Sequence, residues 1–217
     1  MGGRGSNSMS RVGGRSIQRG RPNDATEWYV SGDGMWINQY LRGRVNREEF
    51  GELSQEEKQF LRDLDIATDG KVKQDVLYRS VDASAIFSGG DLDNLRQYLQ
   101  YGPDSWGKGA YAQSISDDVR NMIDRAVGST VTEKGFVSTT KDFNIARDFG
   151  GFTGSEHPIV LEIKTTPTTK GVDVSVYDRS VDPSQAQKEV LLARNQSFKI
   201  EDVVYQDGTV LVKVKMV

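Results

Sequence analysis

Apolar residues alternate with polar ones in the second half of the chain but recur at helical spacing in the first half, and this division limits the fold most. Residues 209–216 alternate strictly, with three valines and Met216 on one face. Residues 92–101 instead place their apolar side chains on one face of a helix. Helices grouped before strands are typical of the α+β class and not of repeated βαβ units. We therefore predict an α+β fold.

Capping residues and alternation predict the individual elements. Ser54 followed three residues later by Glu57 is the pattern of a capping box and predicts a helix over 53–65. The other predicted helices cover 92–101, 142–149 and 116–127, the last with a start at Ser116 because two Asp follow it. Strands are predicted at 75–81, 135–140, 158–164, 189–192, 197–205 and 209–216.

Residues 1–25 form a Gly- and Arg-rich arm, which we predict to be disordered because it has almost no large apolar side chain. Its positive charge permits weak nucleic-acid contact, but we favour a flexible tether. No apolar stretch of the kind that a secretory signal needs follows its basic residues. We expect residues 26–217 to form one domain, with a helical lead-in at 26–75 and a strand-rich core at 76–217.

The composition removes most catalytic chemistries from consideration. The chain has no Cys and one His, His157, which excludes thiolate metal sites, cysteine nucleophiles and the usual Ser-His triads. The formal charge is −3, so no global field favours a nucleic-acid partner. No apolar run approaches the roughly 20 residues of a membrane helix. The remaining candidates for catalytic groups are carboxylates, hydroxyls, amides and arginines. We expect neither a bound metal ion nor association with a membrane.

Two polar segments interrupt the predicted strands of the middle of the chain. Arg79 lies in an apolar strand, where its charge is costly without an anion, either a structural carboxylate or a bound phosphate. Ser138, Thr139 and Thr140 end another strand. Their hydroxyls either bind a ligand such as a ribose or satisfy the backbone of a turn.

A third polar segment begins a late strand. Gln187 and Glu189 flank Lys188, and period-two geometry predicts both side chains on one face of the sheet. A carboxylate in that position can stabilise a developing cation, and an amide beside it can hold a polar acceptor. Most Gln-x-Glu pairs, however, are the solvated face of an edge strand.

In this order the three segments resemble the mono-ADP-ribosyltransferases of the arginine–serine–glutamate class, which include the clostridial binary toxins and the Rho-modifying exoenzymes. The resemblance rests on DVLYRSV at 75–81, KGFVSTT at 134–140 and EVLLAR at 189–194, and it extends over about residues 27–217. It implies a core of two roughly orthogonal, mostly antiparallel sheets around an NAD cleft, preceded by helices. Residues 76–217 would then be the NAD-binding catalytic core.

The resemblance also implies roles in binding NAD, the co-substrate. Arg79 would bind the pyrophosphate, and Ser138 would bind near the nicotinamide ribose and orient the catalytic carboxylate. Thr139 and Thr140 complete the hydroxyl segment, with Thr140 in place of the usual second Ser. Phe149 falls where the family places an aromatic ring against the nicotinamide, although a core position is an equal alternative.

For catalysis, the resemblance implies that Glu189 accepts a hydrogen bond from the ribose 2′-OH and stabilises the cation that forms as nicotinamide leaves. Gln187 would orient the acceptor, and Gln at this position argues against arginine as that acceptor. The sequence departs from the Rho-modifying members at Ser184, where they have an aromatic residue. Phe152 stands where some relatives have a second phosphate-binding Arg, and Arg147 is the candidate substitute.

We therefore predict a monomeric mono-ADP-ribosyltransferase that transfers ADP-ribose from NAD to a macromolecule, either protein or nucleic acid. We expect it to act in the cytoplasm of a host or target cell, as a toxin-like or phage-borne effector. Two alternatives remain open. One is an NAD glycohydrolase, in which water is the acceptor, and the other is a catalytically silent binding or virion module.

Overall fold

The computed structural model describes residues 22–30, 34–44, 52–87, 91–152, 158–177 and 187–217. The helices in these ranges are α1 (Pro22–Trp28), α2 (Gly34–Leu41), α3 (Gln55–Ala67), α4 (Leu92–Tyr101), α5 (Ala110–Ala126) and α6 (Phe143–Phe152). The strands are β1 (Val76–Asp82), β2 (Thr130–Glu133), β3 (Val137–Thr140), β4 (Pro158–Lys164), β5 (Gly171–Asp173), β6 (Glu189–Leu192), β7 (Gln196–Gln206) and β8 (Thr209–Met216). Single 3₁₀ turns lie at Ala83–Ala85 and Ser175–Tyr177.

The described strands are joined in the order β2-β7-β8-β4-β1-β3-β6-β5. The pairing of β4 with β8 is parallel, and the other pairings are antiparallel. Between β1 and β3 the register contains one pair, Tyr78 with Thr140, so the series divides there into five strands and three. The predicted α+β class and mostly antiparallel pairing are confirmed.

Helices cover both faces of the strand series at β6, because its consecutive apolar side chains point to opposite faces. Val190 and Leu192 belong to the cluster that α4 and α5 form with β1, β4, β7 and β8. Leu191, between them, belongs to the cluster that α1, α2 and α3 form with Phe136. Because successive side chains of a strand point to opposite faces, β6 is buried from both sides. Burial of each such side chain stabilises the fold by about 1.5–3 kcal/mol.

Most predicted elements are confirmed. The capping box of α3 is present, with the Ser54 hydroxyl accepting from the Glu57 N–H and the Glu57 carboxylate accepting from the Ser54 N–H. The strands at 158–164, 189–192 and 209–216 and the helix at 92–101 have the predicted bounds.

The predicted start of α5 at Ser116 is wrong, because the helix begins six residues earlier, at Ala110. Ser116 lies inside the helix and is 2% exposed, so its side chain faces the core instead of capping an end. Gly109 precedes the first turn with φ 130° and provides no side-chain cap. Strands β2 and β5 were not predicted, because each is a short strand at an end of the series.

The beginning of the chain is described only in part. Helix α1 begins at Pro22, so residues 22–25 of the predicted arm are helical, and residues 1–21 lie outside the described ranges. In the part of the chain that is described, no helix has the length and apolar character that crossing a membrane requires.

Candidate active site

A pocket of about 440 Å³ opens where β1, β3 and the start of β6 face α2 and α6. All seven residues that the sequence predicts for the site line it, namely Arg79, Ser138, Thr139, Thr140, Phe149, Gln187 and Glu189. The other lining residues are Tyr29, Val30, Gly34, Asn38, Arg42, Tyr78, Ser80, Ile145 and Ala146. The fold therefore brings together three segments that lie far apart in sequence.

Arg79 projects from β1 and is partly buried beside a second cation. Its Nη1 donates a hydrogen bond to the Ser138 carbonyl at 2.8 Å, which joins β1 to β3 where their pairing is sparse. Burial lowers the pKa of Arg79, and the charge of Arg42 lowers it further, while Glu133 and Glu189 oppose the shift. An arginine stays protonated at neutral pH even so. The site therefore holds two neighbouring positive charges, which favour an anionic ligand.

Arg42 follows α2 and has hydrogen-bonding capacity left over. Its Nε donates to Glu133 Oε1 at 2.9 Å. Burial alone would raise the pKa of Glu133, but hydrogen bonds from Arg42 and from the Gly135 N–H outweigh it and lower that pKa. Among the described residues, the buried Nη2 of Arg42 has no hydrogen-bond partner. Arg42 also lines the pocket, so its guanidinium contributes positive charge to the pocket wall.

The hydroxyl residues of β3 stabilise the fold as well as lining the pocket. Thr139 Oγ1 donates to the Val190 carbonyl at 2.6 Å, which fastens β3 to β6. Thr140 Oγ1 accepts from the Asp142 N–H at 3.2 Å and forms the turn into α6. Ser138 is the most exposed of the three hydroxyl residues. It lies near the buried Tyr29 side chain, whose pKa is raised because burial outweighs the opposing effects of Ser138 and Arg79.

Gln187 and Glu189 both line the pocket, but the predicted reason is wrong. Glu189 is the first residue of β6 and pairs with Thr140, whereas Gln187 precedes the strand. Lys188 between them has φ 49°, a left-handed conformation that breaks the alternation of a strand. Gln187 is exposed at the rim, and Glu189 is partly buried. A turn at Lys188, and not a common strand face, brings the two side chains to the pocket.

The predicted substitute for a second phosphate-binding arginine is not in the pocket. Arg147 Nε pairs with Asp148 at 2.9 Å, and its guanidinium lies 6.0 Å from the Phe143 ring centroid. Phe149 on the same helix does line the pocket and is 47% exposed, so it is not a core residue. Ser184 and His157 lie outside the described residues, as does the side chain of Phe152. Arg42 is thus the second cation of the site.

The family model for ADP-ribosyltransferase exoenzymes matches residues 22–216, nearly all of the chain and every element of the pocket. The chain belongs to this family. This exoenzyme is accordingly an NAD-dependent ADP-ribosyltransferase. Comparison with curated proteins gives no match.

Solved structures similar to this exoenzyme share its fold at low sequence identity. A C3-type ADP-ribosyltransferase from Clostridium botulinum is 22% identical, with a TM-score of 0.58 over 90% of this chain and 85% of that one. A C3-type protein from S. aureus, solved with NAD, is 20% identical, with a TM-score of 0.59 over 90% and 86%. The Vis toxin from Vibrio splendidus is 17% identical, with a TM-score of 0.58 over 90% and 72%.

The donor set of the exoenzyme's pocket fits NAD, a ligand with two linked phosphates. Two guanidinium groups, of Arg79 and Arg42, provide positive charge, and the volume lies in the range of about 300–1,000 Å³ that is usual for ligand pockets. Within the described residues, no group of three or more His, Asp or Glu side chains is placed to hold a metal ion.

Sequence reasoning missed a second group of pocket residues on the helical lead-in of the exoenzyme. Asn38 clamps the start of β3, since its Nδ2 donates to the Phe136 carbonyl at 3.0 Å and its Oδ1 accepts from the Phe136 N–H at 2.8 Å. Asn38 Nδ2 also donates to Tyr29 Oη at 2.6 Å. The available signal was the spacing of Asn38 and Arg42, because residues four apart share one helix face.

Replacing Asn38 by Ala is expected to lower the free energy of unfolding by about 2–3 kcal/mol, because the buried N–H and C=O of Phe136 lose their partner. For a chain of this size the melting temperature should fall by about 5–10 °C. Thermal unfolding followed by circular dichroism measures the change. Gln59→Ala removes an exposed amide from α3 and serves as the control, with little expected change. An unchanged melting temperature in the Asn38 variant would show that the clamp contributes nothing.

Proposed function

We propose that the exoenzyme transfers a single ADP-ribose from NAD to a macromolecular acceptor other than arginine, with Glu189 as the catalytic carboxylate. The observation that carries this proposal is the convergence of Arg79, Ser138 and Glu189 on one pocket that Arg42 also lines. We further propose that it acts as a monomer in the cytoplasm of a host or target cell, as a toxin-like or phage-borne effector.

The two arginines are assigned to the pyrophosphate of NAD. Burial and the charge of Arg42 disfavour the charged form of Arg79, Glu133 and Glu189 offset part of this cost, and a bound diphosphate would offset more of it. Planar guanidinium groups bind phosphate oxygens in pairs, so both groups can act as forks. Phe149, exposed on α6, is assigned to the nicotinamide ring.

Glu189 is assigned to the bond that breaks. The glycosidic bond between the ribose C1′ and the nicotinamide nitrogen breaks, and nicotinamide leaves as a neutral molecule with the bonding electron pair. Positive charge builds on the ribose, and a preorganised carboxylate stabilises it. The acceptor then forms a bond to C1′ and loses its proton. Ser138 and Tyr29 line the same pocket as Glu189.

Gln187 is assigned to the acceptor, because it is exposed at the rim while Glu189 lies deeper. An amide has no charge with which to attract a guanidinium, so a neutral acceptor group suits this position better than arginine. Both C3-type relatives and the Vis toxin have the same fold, but acceptor choice depends on the rim and not on the fold.

Transfer is tested with NAD labelled in the adenylate phosphate, incubated with the enzyme and with bacterial and animal cell lysates in separate reactions. We expect acid-insoluble label in at least one lysate, and digestion by protease or nuclease then identifies the acceptor class. Glu189→Gln is the inactive control. Nicotinamide release without acid-insoluble label would indicate a glycohydrolase instead. Neither release nor label would leave the silent binding module as the function.

A further inference from the structure

Lys188 has a backbone conformation that its residue type disfavours. Its φ of 49° lies in the left-handed region, where the Cβ of a residue other than glycine crowds the carbonyl oxygen. The residue lies between Gln187 and Glu189, the two residues proposed for acceptor and donor. Non-glycine residues in this region persist where surrounding contacts hold them, and they cluster at functional sites.

Two contacts hold Lys188 to the turn between β3 and α6. Its Nζ donates to Asp142 Oδ2 at 2.8 Å, and its carbonyl accepts from the Lys141 N–H at 3.3 Å. Asp142 is itself fixed, because its Oδ1 accepts from the Asn144 N–H at 3.0 Å and its own N–H donates to Thr140. The hydrogen bond from Lys188 lowers the pKa of Asp142, which keeps that carboxylate charged at neutral pH.

Glu189 has further backbone contacts of its own. It pairs with Thr140 in the β3–β6 ladder, and its carbonyl accepts from the Val174 N–H at 3.1 Å. Gln187 is joined to this ladder through the backbone of Lys188. The left-handed turn at Lys188 therefore fixes the direction from which Gln187 reaches the rim of the pocket.

We propose that Lys188 is a positioning residue whose ion pair with Asp142 holds the left-handed turn that places Gln187 against Glu189. Lys188 does not line the pocket, so it acts through Gln187 and not on the substrate. The inference rests on the proposed function, because it assigns to Gln187 the side of the site that the acceptor approaches.

An ordinary surface ion pair is the competing explanation, since the side chains of Lys188 and Asp142 are 48% and 27% exposed. Such pairs contribute little to stability, so thermal unfolding does not separate the two explanations. Substitutions at Lys188 that affect the ion pair and the turn differently do separate the two explanations. Glycine removes the ion pair but adopts the turn freely, methionine removes the pair and keeps the crowding, and valine disfavours the turn most.

The experiment compares Lys188→Gly, Lys188→Met and Lys188→Val with the wild type. Transfer is read as acid-insoluble label from adenylate-labelled NAD in the lysate that the wild type labels, and NAD hydrolysis as nicotinamide release without lysate. We expect transfer to fall about tenfold or more in the Val variant, about threefold in the Met variant and less than twofold in the Gly variant. Nicotinamide release should change less than twofold in all three. Lys170→Met, which removes an exposed ion pair with Asp69, is the matched control and should change neither activity.

Rescue of transfer by glycine is the result that a merely structural ion pair would not give. Equal transfer in all variants, equal loss in the Gly and Val variants, or a parallel fall of hydrolysis would overturn the inference. Glu189→Gln is assayed alongside. If Glu189→Gln loses nicotinamide release while transfer is equal in the wild type and all Lys188 variants, only the positioning role is overturned. If it keeps wild-type release, or the wild type labels no macromolecule, the proposed function fails and this inference with it.

Discussion

Replacing Glu189 by Gln is expected to lower the rate of nicotinamide release from NAD on the order of 10²–10³-fold. The substitution keeps the shape of the side chain but removes the negative charge that would stabilise the ribose cation. NAD affinity should change little, because the phosphates are assigned to Arg79 and Arg42 and not to Glu189. Release of labelled nicotinamide at saturating NAD measures the effect.

Two controls make this result specific to Glu189. Glu56→Gln removes a carboxylate of the same type from the exposed first turn of α3 and should leave the rate unchanged. An unchanged circular dichroism spectrum of the Glu189 variant confirms that the fold is kept. A variant as fast as the wild type would end the assignment of Glu189 as the catalytic carboxylate.

Replacing Arg79 by Lys is expected to weaken NAD binding about 10–100-fold, which corresponds to about 1.4–2.7 kcal/mol. An ammonium keeps the charge but loses the planar fork that binds two phosphate oxygens, and it cannot also reproduce the bond from Nη1 to the Ser138 carbonyl. Titration calorimetry of NAD measures the change, with Glu189→Gln as the background in both proteins so that NAD is not consumed.

The matched control for Arg79 is Arg62→Lys, an exposed arginine on α3 that bonds Gln59 within its own helix. It should bind NAD as tightly as the background protein. Equal affinity in the Arg79 variant would mean that Arg79 serves only to join β1 to β3.

Local patterns predict those elements whose causes are local. The capping box at Ser54 and the alternation of 158–164 and 209–216 depend on residues within a few positions of one another. Both strands have the predicted bounds, and α3 has the predicted cap but ends at Ala67, two residues later than predicted. The same reasoning does not predict the start of α5 correctly. Ser116 has the residue type of a cap, but its burial is decided by the packing of α5 on the core, which no local pattern contains.

The residues of the candidate site also differ in whether the sequence predicts them. Arg79 stands out as a charge in an apolar strand, and Ser138 and Glu189 stand out through their place in the ordered segments that carry the family resemblance. Asn38 and Arg42 do not, because their partners Phe136 and Glu133 lie 98 and 91 positions away. The sequence places Asn38 and Arg42 on one helix face but does not identify these distant partners, which are met only when the helices are docked on the strands.

The left-handed turn at Lys188 could not be predicted either, since Lys is not a residue that favours positive φ. Period two placed Gln187 and Glu189 on one face for the wrong reason, and the turn brought both to the pocket.

The most direct test of the NAD site is a crystal structure of the Glu189→Gln variant grown with saturating NAD, since slow turnover should preserve the intact molecule. We expect NAD in the pocket, with its pyrophosphate within hydrogen-bonding distance of Arg79 and Arg42 and its nicotinamide ribose beside residue 189. NAD bound elsewhere on the protein, or an empty pocket at saturating concentration, would contradict the assignment of this pocket as the active site.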